Sequence, residues 1–329
     1  MRILTGIKPT GSLTLGNYIG AIKSLATLQA ASPEAEVIVF IADLHALTTP
    51  QDKNELRQRK KEIALVYLAS GLDREKTILF NQSEISAHNQ LGYIMECTSY
   101  IGEMERMTQY KDKKKKQVEG IRTSLLTYPA LMAADILLYD ADIIPVGVDQ
   151  KQHLELTKTL ATRFNNAYGP TFVVPEGFIP KIGKKIMGLQ NPTKKMSKSE
   201  ADNPKDYISL FDSPAEGRNK IKSAITDSGQ EVKFDSKNKP GISNLLTIYS
   251  GLTNSSIKEL ELKYASSSYA EFKVDLGEVV YNFLSDLQTK CQQLDSSGIL
   301  EQVLKRSSAY ANLLANRKIE KVYKKLGLR

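Results

Sequence analysis

Cysteine is scarce in this chain. Cys97 and Cys291 are the only two in 329 residues, far apart and without Cys-x-x-Cys spacing. That argues against a disulfide framework or a structural zinc site and fits a reducing cytoplasm. Long apolar runs are also missing, and none approaches the ~20 residues of a membrane-spanning helix. The start, Met1-Arg2-Ile3-Leu4-Thr5-Gly6, reaches a glycine before a signal-peptide apolar region could form. No internal repeat is visible. There is no G-x-G-x-x-G and no G-x-x-x-x-G-K-[ST], so neither a dinucleotide fingerprint nor a P-loop is supported. What remains is an ordinary globular composition, 41% hydrophobic and 25% charged. The length suits two domains at ~150 residues each. Lys plus Arg exceed Asp plus Glu by 45 to 37, for a net charge of +8. That surplus suits a polyanionic partner and equally a plain soluble protein.

The opening residues read strand, turn, helix, strand. Ile3-Leu4 breaks at Gly6 and Pro9, and Leu15, Ile19, Ile22, Leu25 and Leu28 then recur at helical spacing. Val37 to Ala42 is continuous, apolar and mostly β-branched, as a parallel strand buried on both faces should be. A helix over about 54–69 and a strand over 77–80 follow. Strands alternating with helices imply a parallel sheet with right-handed crossovers. From about 84 to 165 the chain reads as mainly helical, with a strand near 143–146, and beyond about 200 strand signals fade. Ser213-Pro214-Ala215-Glu216 marks a helix start. Ile257, Leu260 and Tyr264, and the stretch 313–326, are helical in spacing. The expected architecture is α/β: a Rossmann-like doubly wound parallel sheet over 1–200, with a helical insertion at about 84–125, and a smaller helical domain over 201–329.

Two distant segments suit phosphate. Lys8-Pro9-Thr10-Gly11-Ser12-Leu13-Thr14-Leu15-Gly16-Asn17 joins the first strand to the first helix. Free N–H groups at a helix start attract anions, glycine admits a ligand to the backbone, and open parallel sheets bind at the carboxyl ends of their strands. A routine glycine turn at a helix entry explains the same residues. The second segment is Lys194-Lys195-Met196-Ser197-Lys198-Ser199. Mobile ammonium groups suit a leaving pyrophosphate whose charge grows in the transition state; a solvated basic loop is the alternative.

Residues 129–138 are apolar apart from Asp135. A helix apolar all round is buried, and a carboxylate inside it is costly unless something donates to it. Tyr128, Met132, Asp135 and Tyr139 share one helical face, offering aromatic rings, a thioether and an acceptor. That combination suits an indole, whose N–H is a donor only and whose ring packs well on sulfur. A core helix with Asp135 paired to a lysine or a backbone N–H is the competing account.

Thr14-Leu15-Gly16-Asn17 resembles the T-[IL]-G-N variant of the HIGH signature of class I aminoacyl-tRNA synthetases, although neither histidine is present, and Lys195 to Ser199 is a full KMSKS signature. Tyr128 to Tyr139 is similar to the MAAD-ILLY helix of the bacterial-type tryptophanyl-tRNA synthetase family. The likeness extends through Pro145 to Thr157, Asp43 to Thr48, Glu105 to Lys113 and Lys239 to Leu246. The resemblance implies a Rossmann-like catalytic domain, ATP with Mg²⁺ carried on its phosphates rather than on a protein metal site, and adenylate formation followed by transfer to tRNA(Trp). It implies catalytic roles for Lys195, Lys198, Lys113 and Lys8. ATP would meet Lys8, Pro9, Thr10, Gly16, Asn17, Gly147, Val148, Asp149, Ile186, Lys195, Met196, Ser197, Lys198 and Ser199, with Asp149 on the ribose. L-tryptophan would meet Asp135, Met132, Tyr128, His45, Ile144, Val146 and Gln150. A homodimer joined through 84–125 and a cytoplasmic location are also implied. Departures occur at Lys8, where the family usually has Gln, at Val148, where Glu is frequent, and at Leu4, where Phe is common against the substrate ring. Tyrosyl-tRNA synthetases, a paralogue that binds without aminoacylating, and a nucleotidylyltransferase are the alternatives. The terminal basic residues Arg317, Lys318, Lys321, Lys324, Lys325 and Arg329 suit either phosphate contact or a solvated helix face.

Overall fold

Strands β1 (Arg2–Ile7), β2 (Glu36–Ile41), β3 (Thr77–Asn81), β4 (Ile143–Pro145) and β5 (Glu176–Phe178) pair in the order β3-β2-β1-β4-β5, every neighbouring pair parallel. The structure is a computed structural model that describes residues 1–114, 120–145, 147, 150–178, 185–198, 201 and 203–329, without the side chains of Lys113 and Phe178. Helices α1 (Leu15–Asn17), α2 (Lys23–Ala31), α3 (Asp43–Ala46), α4 (Lys53–Ala69), α5 (Ala87–Thr98), α6 (Ile101–Glu105), α7 (Thr108–Lys114), α8 (Thr123–Leu137) and α9 (Lys151–Tyr168) fill the connections. Then come α10 (Pro214–Lys222), α11 (Pro240–Thr253), α12 (Ile257–Lys263), α13 (Tyr269–Ser296) and α14 (Ile299–Leu326).

The alternation of side chains along β2 divides the interior. Val37, Val39 and Ile41 join Ile3 and Leu79 in one apolar cluster, packed under α2, α4 and the helices beyond residue 213. Ile38 and Phe40 join Leu4, Ile78 and Phe80 in the other, with α5, α8 and α9. Both faces are therefore dry, as the unbroken Val37–Ala42 run requires. Residues 201–329 do not stand apart: Ile208, Ile221, Ile242, Leu246, Phe272 and Val280 belong to the first cluster, and Ala311, Ala315, Ile319 and Val322 of α14 to the second.

Two local features depart from the expected pattern. The helix beginning at Leu15 passes through a π-helical stretch, Tyr18–Ile22, before continuing as α2. Gln29, one turn on from Leu25, is buried, while Leu28 packs only partly on the core. Gln29 then donates to Thr77 Oγ1 at 2.9 Å and accepts from the Asp73 N–H at 2.8 Å. Strand β5, Glu-Gly-Phe, carries no apolar run to announce it, and it lies at the sheet edge beside β4. At Ser213 the helix start holds: its hydroxyl accepts from the Glu216 N–H, with Pro214 in the first turn.

Gly241, in the first turn of α11, is the tightest backbone crossing in the C-terminal half. A Cβ there would stand 2.3 Å from the Ile225 carbonyl oxygen and 3.0 Å from Thr226 Cα. Neither neighbour has a rotamer through which to escape. Gly241→Ala is expected to destabilise the protein by about 1–3 kcal/mol. The check is a lower urea midpoint at unchanged slope; an unaltered midpoint would show that the backbone yields there without cost.

Candidate active site

The segments that leave the carboxyl ends of β1, β2, β3 and β4 converge, where an open parallel sheet is built to take a ligand. After β1 comes 8–14, after β2 comes α3 with His45, after β3 comes Gln82, and after β4 come Gly147 and Gln150.

On the side of β1, Thr14 caps α1 reciprocally with Asn17: the Asn17 N–H donates to Thr14 Oγ1 and the Thr14 N–H donates to Asn17 Oδ1 at 2.9 Å. Gly16 follows directly under the Lys-Met-Ser-Lys segment. A Cβ on Gly16 would lie 3.4 Å from Met196 Cβ and 3.5 Å from Ile186 Cβ, ordinary packing distances, so these two words distant in sequence lie against each other. Residues 186–196 form a small antiparallel hairpin, with the Met196 N–H on the Ile186 carbonyl at 3.0 Å and the Gly188 N–H on the Lys194 carbonyl at 2.9 Å. Two side chains from farther along hold it. Asn244 accepts from the Met187 N–H at 2.8 Å and donates to its carbonyl at 2.9 Å. Asp206 accepts from the N–H groups of Gln190 and Asn191 at 2.7 and 2.8 Å. Lys198 reaches across to Ser12 Oγ at 2.8 Å, while Lys195 stays exposed on the same hairpin.

On the other side, α8 turns Asp135 into the space behind β2 and β3. The carboxylate is fully buried, and its ion pairs among the described residues are with His45 and His88, not with a lysine. Its Oδ1 accepts from Gln82 Nε2 at 2.6 Å and His88 Nδ1 at 2.7 Å, and its Oδ2 from His45 Nε2 at 2.7 Å. Burial alone would raise this carboxyl, but the charge and hydrogen bond of His45 and the hydrogen bond of His88 outweigh it and hold it down at about 2. His45 stands edge-on to Tyr128, ring centroids 6.2 Å apart, and the Tyr128 hydroxyl meets His153 Nε2 at 2.6 Å. All three histidines of the chain thus gather around α8. His45, His88 and Asp135 aim their polar atoms at one another and not at a shared point, and no metal-holding cluster occurs among the described residues.

Met132 and Tyr128 are half-buried on the same helix as Asp135, and Ile144 is buried in β4. Leu131 is half-buried too, so α8 is not dry all round as its composition suggests. Tyr139 does not extend this face. It is fully buried behind Asp135 and bonds His88 Nε2 at 2.8 Å. Leu4 is inside the sheet core, 1% exposed. Lys8 donates to Thr48 Oγ1 at 2.8 Å, which ties it to the segment after α3. Pro9 is buried and Thr10 exposed on the same loop, and Ser197 is half-buried beside Met196. The Ile186 side chain is only 1% exposed, so it contributes to the floor. Gly147 is exposed and its carbonyl accepts from the Gln150 N–H at 2.9 Å. Val146, Val148, Asp149 and Ser199 lie outside the described residues, as does the side chain of Lys113.

Gln82 and His88 escaped the reading of the sequence. Gln82 is the first residue past β3, a position where a polar side chain in a parallel sheet signals a site. His88 offered only its rarity. An unfolded aspartate titrates near 4, so the Asp135 carboxylate contributes fully above about pH 4. That contribution, roughly 2 kcal/mol, is lost as the pH falls from about 4 to about 2. Urea midpoints taken from pH 5 down to 2.5 are expected to fall more steeply for the wild type than for Asp135→Asn; parallel curves would clear Asp135 of any part in acid sensitivity.

Comparison with known proteins agrees with this geometry. The family model for class I tRNA synthetases of the W and Y type matches residues 1–285. The tryptophan–tRNA ligase of Bacillus subtilis (strain 168) is 53% identical over 326 residues, covering 99% of this chain and 97% of the relative. A tryptophanyl-tRNA synthetase crystal structure from Mycoplasma pneumoniae superposes with a TM-score of 0.90 at 38% identity, covering 100% of this chain and 98% of the other. The Campylobacter jejuni tryptophanyl-tRNA synthetase, in a complex with ADP and tryptophan, has a TM-score of 0.83 at 34% identity, covering 99% and 100%. With the nucleotide words stacked at Gly16 and the parallel sheet ordered around them, this chain belongs to the class I tRNA synthetases, in the family of the tryptophan and tyrosine enzymes.

Proposed function

We propose that this chain is a tryptophan–tRNA ligase, converting ATP, L-tryptophan and tRNA(Trp) to AMP, diphosphate and L-tryptophanyl-tRNA(Trp) through tryptophanyl-adenylate. The observation that carries the specificity is Asp135: a buried, ionised acceptor whose Oδ1 is committed from behind while Oδ2 lies beside His45, which is only partly buried. An indole N–H needs such an acceptor and a phenylalanine ring would leave it short of a donor. Met132, Tyr128, Ile144 and Val146 would surround the ring, and Gln150 would meet the amino group.

ATP lies over Gly16 and Asn17 in this reading, with its ribose toward Asp149. The substrate carboxylate attacks the α-phosphate, and it needs no general base because it is already ionised at neutral pH. Fixing the two reactants side by side supplies several kcal/mol of the barrier. Lys195 and Lys198 take up the charge of the departing diphosphate. Segments 8–12 and 194–198 offer lysines and hydroxyls and no carboxylate, so Mg²⁺ would be held by the nucleotide's own phosphates. The terminal hydroxyl of tRNA then attacks the adenylate.

Residues 1–200 form the catalytic part and 201–329 the tRNA-binding part in this proposal. Of the basic residues at the end of the chain, Arg317, Lys324 and Lys325 are exposed on α14 and would meet phosphate, with Lys321 exposed beside them and 3.5 Å from the Thr171 carbonyl. Lys318 is withdrawn into the fold, paired with Asp140 and the Thr171 carbonyl, and Arg329 is paired with Glu320. Exposed Tyr93, Tyr100 and Ile101, at 69, 65 and 71% exposure, support a homodimer interface in 84–125. No helix among the described residues is long and apolar enough to cross a membrane; a cytoplasmic enzyme fits this reading.

The test is ATP–pyrophosphate exchange driven by each amino acid. Tryptophan alone is expected to support it. Asp135→Ala should lower kcat/KM for tryptophan by about 100-fold or more, because the indole loses a charge-assisted hydrogen bond. Lys195→Ala should cut kcat by about 100-fold with tryptophan binding intact. Exchange driven by tyrosine, or an Asp135→Ala protein indistinguishable from wild type, would overturn the assignment.

A further inference from the structure

The carboxylate of Asp135 is held by side chains of other elements. We propose that Tyr139, His88 and Gln82 are positioning residues for amino-acid selection: they commit Asp135 Oδ1 to the protein and leave Oδ2 as the single oxygen offered to the substrate. This rests on the reading of Asp135 as the indole acceptor, and it names the groups on which that reading depends.

Proton directions follow from the partners. The Gln82 amide accepts through Oε1 from the Leu44 N–H at 3.1 Å, so its Nε2 is the end that donates to Asp135 Oδ1 at 2.6 Å. A carboxylate can only accept, so His88 Nδ1, 2.7 Å from the same oxygen, carries a proton. The Tyr139 hydroxyl is fully buried, and among the described residues its one hydrogen-bond partner is His88 Nε2 at 2.8 Å. A hydroxyl proton left without an acceptor inside the core is costly, so Tyr139 donates to Nε2. The ring is therefore neutral, with its hydrogen on Nδ1.

The imidazole has little room to do otherwise. Phe40, Phe80 and Tyr139 surround it at centroid distances of 6.0, 6.0 and 5.5 Å, and its own exposure is zero. The titratable groups that face it are Asp135 and Tyr139, with His45 beyond the carboxylate. With the hydrogen on Nε2 instead, two lone pairs would confront each other at Oδ1 and the carboxylate would turn. Gln82 and His88 approach from different elements, the end of β3 and the first turn of α5, and both take Oδ1. Oδ2 then has one protein donor, the partly buried His45, where Oδ1 has two, and so keeps a lone pair for a ligand.

The experiment has two arms on the full-length protein. In the first, nitrogen-15 spectra of histidine-labelled protein at pH 7, assigned with His88→Asn, read the ring state. A neutral ring protonated at Nδ1 is expected. An imidazolium, or a ring protonated at Nε2, would overturn the proposal. In the second, exchange kinetics are compared. His88→Leu should raise KM for tryptophan by about 10- to 100-fold, the loss of one charge-assisted donor, with KM for ATP within about twofold. His88→Asn keeps a donor where Nδ1 stood and should recover most of that loss. Tyr139→Phe should raise KM for tryptophan by about fivefold, the scale of one modest buried hydrogen bond. Should His88→Leu fail to fold, the asparagine and Tyr139→Phe proteins carry the test alone. Equal losses toward ATP and tryptophan, or an unchanged KM for tryptophan, would reduce these residues to packing. A wild-type protein inert toward tryptophan would instead overturn the ligand assignment, and that control separates the two failures.

Discussion

An ionised carboxylate with no solvent contact is the most demanding group in this core, and the neighbouring elements answer to it. Leaving Asp135 without donors would cost several kcal/mol or force it to take a proton. The donors come from α3, from the end of β3 and from α5, while the acceptor sits on α8. None of these segments is adjacent to α8 in sequence. Satisfying one charge therefore fixes how α8 lies against the carboxyl ends of β2 and β3. It also explains why the polar residues past those strands turn inward in a region otherwise built of Phe40, Phe80, Ala133 and Ala134.

The side proposed for the nucleotide depends on packing instead of charge. The first turn after β1 lies against Ile186 and Met196, at ordinary packing distance for a Cβ placed on Gly16. The hairpin that presents the lysines buries Ile186, Leu189 and Met196 in the first core cluster. Asn244 from α11 and Asp206 fasten its backbone, so residues beyond 201 support a surface formed by residues before it. Lys195 and Lys198 are left on a supported but exposed edge, an arrangement that lets long cationic side chains move with a changing phosphate geometry.

Much of this was legible from the residues because it is local. The Val37–Ala42 run declares a strand buried on both faces, the spacing of apolar residues declares the helices, and Asp135 stands out as the one charge in an apolar stretch. The two signature words lie far apart in sequence, and only the fold stacks them. What escaped was non-local or depended on small geometric shifts. His88 and Gln82 find Asp135 only once β3 is placed beside β2. Gln29 is polar, so the apolar spacing passes over it for Leu28, although it lies one turn on from Leu25 and finds partners in Thr77 and Asp73. Strand β5 exists because β4 offers an edge, and Lys318 reads as one more surface cation until Asp140 closes on it. Tyr139 shows the limit of helical phase: it shares the face of Asp135, yet α8 ends at Leu137 and the ring goes behind the acceptor.

Selectivity among aromatic amino acids places a further demand on that acceptor. A tyrosine hydroxyl can also donate to a carboxylate, so charge alone rejects phenylalanine and not tyrosine. The two donors differ in position: a phenol carries its proton beyond the ring on the side-chain axis, whereas an indole carries it off to one side. Only an acceptor that cannot turn distinguishes them. A carboxylate held through one oxygen by two donors has lost that freedom, and the surrounding aromatic rings keep one of those donors from moving. In the proposed reading, rigidity around Asp135 is thus the physical content of amino-acid choice, and the hydrogen bonds behind the carboxylate bear on that choice as directly as the oxygen that would face the ligand.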